Sequence, residues 1–394
     1  MDRSKLNKLL QKEMTRKDFL SVTALSVVSV IGIVGVIAEL VSHAEGPYKS
    51  ASPQSGTLTG GAKIVANTTA LDSESVEFEP TTTSSQAMTI GVSMGYDPQL
   101  FDASDSGLSQ YKIIKADGFY GVRQETPYPG VTNNEGTIKA ALAAGLDVLL
   151  IIDNYQTGDG VEAFTAFCSE VVSMYAPLGI HHYEVLNEQN GNDNWDSATN
   201  TVNPAAYATL LKSVYAAIKA VDSSATVVLG GLAVFMDGDG TNEGGGNYSG
   251  SCLPGTFMTD FYAATGGTSE GYFDALGIHP YPGNQLPTTS NNWGVFLNPP
   301  GEAGYYGASV RSIMVSNGDS AKQMWITEYG SETDVISDSL EAQIYTNGIS
   351  LAKAMGYVGA FYCFNWNDDA DGDYGLNDTN YNPKPALAAV EAFL

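Results

Sequence analysis

Several residue types that often announce a chemistry are scarce in this chain. Among 394 residues there are three cysteines, Cys168, Cys252 and Cys363. Their odd number and the absence of any CxxC or Cys/His spacing argue against a zinc site and against a disulfide framework, so buried free thiols are expected. Basic residues are few, 18 Lys and Arg against 44 Asp and Glu, for a net charge of −26. Nucleic acid is thereby excluded as a partner, because displacing counterions from phosphates needs a basic patch. No glycine-rich phosphate loop follows the first apolar run, where IGVSMGYD stands instead, and no cofactor is expected. Charged residues of both signs make up 16% of the chain, below the roughly 25% of ordinary soluble proteins. With 22 Tyr and 43 Gly, the polar surface is expected to rest on Ser, Thr, Asn, Tyr and Gly.

The N-terminus is patterned. A basic opening (Arg3, Lys5, Lys8, Lys12, Arg16, Lys17) precedes SVTALSVVSVIGIVGVIA and then SHAEGP. Residues 1–44 therefore read as an export signal or an uncleaved membrane anchor with its basic side in the cytoplasm. TRKDFL resembles a twin-arginine signal with Lys17 in place of the second arginine. The bulk of the chain is expected outside the cytoplasm, secreted or tethered to the outer face of the membrane. Residues 45–87, rich in Ser, Thr, Gly and Pro, show no sustained period and read as a linker.

From residue 88 to 394 one pattern repeats: a short apolar run, a loop, an amphipathic segment. The apolar runs are MTIGVSM, FYGVRQE, DVLLIID, HYEVLN, ATVVLGGL, FDALGIHP, QMWITEY and YVGAFYCFNW. Between them lie helical candidates such as NPAAYATLLKSVYAAIKAV, whose Tyr207, Leu210, Leu211, Val214, Tyr215 and Ile218 form one stripe. Eight near-continuously apolar strands alternating with helices predict a parallel sheet buried on both faces. A closed (β/α)8 barrel is the simplest solution, with an open doubly wound sheet as the alternative.

In such barrels the C-terminal strand ends carry the site. Those ends bear Arg123-Gln124-Glu125, Asp153-Asn154-Tyr155, Asn187-Glu188, His279-Pro280-Tyr281, Glu328-Tyr329 and Asn365-Trp366-Asn367. Glu188 and Glu328 end the fourth and seventh strands, on opposite sides of the ring. Two glutamates across a cleft suit glycoside hydrolysis, one as proton donor and the other as nucleophile or base. Asn154, beside Asp153, is a candidate substrate contact. The acidic loop after the eighth strand has Asp369, Asp371 and Asp373 at EF-hand spacing, but Tyr374 and Asn380 stand where the glycine and the bidentate glutamate belong. No metal is expected.

YEVLNEQN together with WITEYG resembles the clan A glycoside hydrolases, and the YE-x-x-NE run with IHPYP is most similar to family 39 and its endo-acting relatives, with family 5 close. Gln189 departs from the proline that commonly follows the Asn-Glu pair. The resemblance spans residue 88 to the C-terminus. It implies a retaining mechanism with Glu188 as acid/base, Glu328 as nucleophile and Asn187 bonded to the sugar 2-hydroxyl. Arg123 and Tyr281 would hold and polarise Glu328, His279 would line the catalytic subsite, and Trp366 would form its floor. The expected substrate is an extracellular β-linked polysaccharide or oligosaccharide. Tyr155, Trp195, Trp293, Tyr305 and Tyr306 are expected to offer stacking faces in an open, endo-acting cleft. A transglycosylase on the same site, or a non-catalytic carbohydrate-binding surface protein, are the alternatives.

Overall fold

The computed structural model describes residues 62–66, 74–78, 88–94, 105–132, 134–156, 158–191, 195, 201–235, 248–298 and 306–394. The signal or anchor read at 1–44 lies outside them, as does most of the loop Asp237 to Gly250. The chain divides into two units, Met1–Thr82 and Thr83–Leu394. Within the first, Ala62–Ala66 pairs antiparallel with Glu74–Phe78, Ile64 opposite Val76. These short strands fall in the stretch read as linker, where AKIVA and ESVEF are too brief to register as a period against their Ser- and Thr-rich surroundings.

The second unit is a closed eight-stranded barrel. Its strands are β1 (Thr89–Ser93), β2 (Gly121–Pro127), β3 (Asp147–Asp153), β4 (His182–Val185), β5 (Thr226–Leu232), β6 (Ala275–Ile278), β7 (Gln323–Tyr329) and β8 (Val358–Cys363), all paired in parallel. The ring closes where Ala360 to Cys363 of β8 pair with Thr89 to Val92 of β1. Around it lie α1 (Asp105–Ala116), α2 (Glu135–Ala143), α3 (Val161–Tyr175), α4 (Pro204–Val221), α5 (Pro254–Thr265), α6 (Asn292–Leu297), α7 (Val310–Ser316), α8 (Asp338–Met355) and α9 (Pro385–Glu391).

Strand β3 shows why the runs are continuously apolar. Val148, Leu150 and Ile152 point outward into the layer shared with the helices, while Leu149 joins Val228, Ala275, Trp325, Ala360 and Tyr362 in a separate cluster inside the barrel. Both faces are dry, so the polar alternation of a half-buried strand is absent. Gly91 is part of this filling, because a Cβ there would fall 2.5 Å from the Tyr362 ring. Outside, α4 begins with Asn203 accepting from the Ala206 N–H at 2.9 Å and Pro204 in its first turn, a cap worth about 1 kcal/mol. Of its stripe, Tyr207, Leu210, Leu211, Val214 and Ile218 are fully buried and Tyr215 partly so, each fully buried side chain contributing roughly 1.5–3 kcal/mol.

Candidate active site

Arg123 organises the buried part of the mouth. It points into the barrel from β2 and is 3% exposed. Its Nε donates to Glu184 Oε2 at 2.7 Å, Nη1 to Glu328 Oε1 at 2.5 Å and Nη2 to Asn187 Oδ1 at 2.8 Å. Burial alone would weaken the guanidinium's hold on its proton, but Glu184 and then Glu328 carry its pKa above the ordinary value. Glu184, fully buried on β4, also accepts from the Gly231 N–H at 2.8 Å and the Thr327 hydroxyl at 2.9 Å. A charged side chain inside a strand needs such compensation.

Glu328, 7% exposed at the end of β7, takes its second hydrogen bond at Oε2 from the Tyr281 hydroxyl at 2.6 Å. Burial pushes its pKa up, but His279, Arg123 and the two hydrogen bonds outweigh that and hold it below the ordinary carboxylate value. Glu328 is therefore kept ionised. Tyr281 is the converse, its phenol raised well above its usual value by burial and by Glu328, so it stays a donor. His279 bridges the two glutamates, with Nδ1 2.8 Å from Glu188 Oε1 and 3.5 Å from Glu328 Oε2. Its Nε2 lies 3.0 Å from Thr327 Oγ1.

Glu188 is the more open of the pair, its side chain 21% exposed. The chain delivers it by a turn in which Leu186 (φ 66) and Glu188 (φ 49) both adopt positive φ. Such values in non-glycine residues persist only when the surroundings fix them. Here Glu188 N–H donates to Gly231 O at 2.8 Å, Gln189 Nε2 to Gly230 O at 3.0 Å, and Asn190 Nδ2 to Ala233 O and Cys252 O at 2.9 and 2.8 Å. Gln189 is thus a buried tie to β5.

The remaining expected residues separate. Trp366 is 1% exposed, gives its indole N–H to Gln110 Oε1 at 2.9 Å and meets Phe119 edge-on. Phe364, half-buried, is the aromatic of that strand end that meets Tyr281 and Tyr374, at centroid distances of 5.9 and 5.6 Å. Asn154 is exposed and donates to the Tyr128 carbonyl at 2.9 Å. Beside it, half-buried Asp153 is pushed up to about 7 by burial and by Glu125, whose own carboxyl burial also raises. Tyr155, Trp195 and Trp293 correct the expectation of stacking faces. They are 3%, 2% and 1% exposed and pack on Phe164, Tyr207 and Tyr329. Tyr306 is exposed and Tyr305 lies outside the described residues. Glu184, Thr327, Phe364 and Tyr374 were not anticipated. The signal available for Glu184 was an acid between apolar neighbours in HYEVL.

Among the described residues, Glu188, His279 and Glu328 form one group with metal-ligating potential, one atom of each lying within 4.8 Å of the others. The Arg123 guanidinium already bonded to Glu328 opposes a second cation there.

No family model matches the chain, and no curated protein matches it. Solved structures do. The barrel is similar to a family 39 glycoside hydrolase from Bacteroides cellulosilyticus WH2, at 17% identity over 82% of this chain and 67% of that one, TM-score 0.57. It is similar also to a β-xylosidase from Caulobacter crescentus CB15 (16% identity, 78% of this chain, 67% of that one, TM-score 0.51). A third is xylanase 10B from Thermotoga petrophila RKU-1, solved with xylobiose (13%, 78% and 94%, TM-score 0.51). The chain is structurally similar to clan A barrel glycoside hydrolases at low sequence identity. At these identities the likeness is one of fold.

Proposed function

We propose that the chain is a glycoside hydrolase that cleaves β-glycosidic bonds with retention of configuration, through Glu328 as nucleophile and Glu188 as acid/base. The observation that carries this is the asymmetry of two facing carboxyls. Glu328 is ionised and oriented by Arg123 and Tyr281, whereas Glu188 faces His279 at the more open side. An oxygen of each lies within 4.8 Å of one of the other, a close approach that supports the retaining reading, in which the two carboxyls stand roughly 5–5.5 Å apart.

In the first step a Glu328 oxygen bonds to the anomeric carbon while the glycosidic bond breaks and Glu188 protonates the departing oxygen. In the second, water attacks the glycosyl ester, Glu188 takes its proton and Glu328 leaves as carboxylate. Asn187 has its carbonyl oxygen held by Arg123, which turns its amide hydrogens toward the sugar 2-hydroxyl. Phe364, beside Tyr281 and Tyr374, offers a ring face as subsite floor.

The mouth sets Glu125, Asp153, Glu184, Glu188 and Glu328 against one guanidinium and one imidazole. That balance favours a neutral glycan over a polyuronate. Of the aromatic faces that would favour endo action, Tyr155, Trp195 and Trp293 are buried and Tyr306 is exposed, and product length distinguishes endo from exo cleavage. The basic and apolar N-terminal segments support action outside the cytoplasm. The test is sugar release from β-linked glucans, xylans, mannans and exopolysaccharides by the full chain and by Glu328→Gln. The variant should lose more than about 10⁴-fold, and the first-formed product should keep the β-configuration. Unchanged turnover in the variant would remove Glu328 from the mechanism, and an inverted product would remove the retaining mechanism with Glu328 as nucleophile. Products longer than the starting oligosaccharide would mark a transglycosylase.

A further inference from the structure

His279 touches both glutamates, and the bonds on its far side constrain the near one. Glu184, an ionised carboxylate, can only accept. Its Oε2 takes Arg123 Nε–H, and its Oε1 takes the Gly231 N–H and the Thr327 hydroxyl. Thr327 has one hydroxyl proton. Once that proton is given to Glu184, the Thr327 oxygen can only accept from His279 Nε2, 3.0 Å away, so Nε2 carries a hydrogen. The ring is confined in this pose, because even a Cβ on Gly231 would fall 2.0 Å from Nε2 and 2.7 Å from Thr327 Oγ1.

Nδ1 then faces Glu188 Oε1 at 2.8 Å. A bare Nδ1 against an ionised Glu188 would set lone pair against lone pair, so a proton lies between them. Glu328 is the weaker claimant, since its Oε2 lies 3.5 Å from Nδ1 and already accepts from Tyr281, whereas Glu188 Oε1 is at 2.8 Å.

We propose that Glu188 and His279 hold one exchangeable proton between them, and that Thr327 is the positioning residue that keeps this proton available to the leaving oxygen by fixing hydrogen on Nε2. This rests on the reading of Glu188 as acid/base and deepens it. In the first step the shared proton goes to the glycosidic oxygen as that oxygen leaves the anomeric carbon, and Glu188 is left ionised opposite the Nδ1 lone pair. The proton that Glu188 takes from the attacking water restores the pair. The charged and titratable groups around the ring are Glu188 from the turn after β4, Glu328 from β7, Arg123 from β2 and Tyr281 from the loop after β6. Glu184 acts through Thr327. Burial disfavours an imidazolium here, yet Glu328 and Glu188 carry the ring's pKa above its ordinary value, as a shared proton requires.

The test replaces Thr327 in the full chain. Thr327→Val removes both the acceptor for Nε2–H and a donor to Glu184, so the ring shifts its hydrogen to Nδ1 and donates to an ionised Glu188. The alkaline limb of kcat/KM should fall by about one pH unit. Activity on glycosides with poor leaving groups should drop about tenfold more than on dinitrophenyl glycosides, which need no acid. Thr327→Ser should restore both. Nitrogen-15 NMR of histidine-labelled wild type reads the ring directly, with Nε2 protonated throughout the active pH range. A bare Nε2 in the wild type, or an unmoved limb and leaving-group dependence in folded Thr327→Val, would overturn the proposal. The wild-type spectrum decides it even where the valine variant does not fold. Failure of the glycosidase reading would instead appear as no sugar release by the wild type, and failure of the two-glutamate assignment as full activity in Glu328→Gln.

Discussion

Replacing Asp153 by Asn isolates the cost of holding acids at the mouth. In the folded chain this carboxyl is pushed from 3.8 up to about 7, by burial first and by Glu125 second, against smaller opposing help from the Asn154 N–H and Arg123. Between those two values the folded state holds a proton that the unfolded state has released. Stability therefore falls as pH rises through the window from about 4 to 7 and stays low above it. Roughly three pH units at ~1.4 kcal/mol each give a penalty of about 4 kcal/mol at pH 8, relative to pH below 4. Asp153→Asn keeps the shape and removes the charge. Its urea midpoint should exceed that of wild type clearly at pH 8 and hardly at all at pH 4. An equal shift at both pH values, or a lower midpoint at pH 8, would refute the reasoning. Turnover measured alongside should fall if Asp153 contacts the sugar, since strained or destabilised groups concentrate at working sites.

Two further substitutions probe the frame. Lys384, 8% exposed, binds Asp368 Oδ1 at 3.0 Å and lies 3.4 Å from Glu341 Oε1, while burial pushes Glu341 up to about 8 despite it. Lys384→Met should cost about 3–5 kcal/mol in thermal or urea unfolding, more above pH 8, where Glu341 must ionise unpaired. An unchanged melting temperature would remove this network from the account. Gly231→Ala should displace the His279 ring, lowering turnover with a stability loss of about 1–3 kcal/mol; wild-type turnover in a folded Ala variant would show that the ring has room.

How much was legible follows from where each signal sits. DVLLIID and QMWITEY coincide with β3 and β7 to the residue, and NPAAYATLLKSVYAAIKAV with α4 and its Asn203 cap. In each case composition, period and boundary agree. Helices α5, α6 and α7 were not read. The last two are six and seven residues long, too short for a period to emerge. In α5, Phe257, Met258, Phe261 and Tyr262 are buried, but Pro254, Gly255 and the run Gly266–Gly267 disguised it as loop. The contacts of Arg123 and Tyr281 with Glu328 follow the resemblance. Glu184 left a local trace as an acid between apolar neighbours, whereas its bond with Thr327 joins residues 143 positions apart and has no local signature. Burial was the harder quantity. Trp366 and Phe364 both close the apolar run YVGAFYCFNW, and only packing shows that Trp366 is fully buried while Phe364 is half-buried.

The barrel's seam has a consequence for the order in which the molecule can be made. β1 finds its second neighbour only when β8 has been synthesised, and Arg123 meets Glu328 across 205 positions of sequence. A ribosome-bound chain lacking β7 can form the Arg123–Glu184 pair, one positive charge against one negative. It cannot form the site, because the carboxylate that tips that balance has not yet been added. The Glu328 carboxylate thus arrives late in synthesis, after both Arg123 and Tyr281, the side chains that bond its two oxygens.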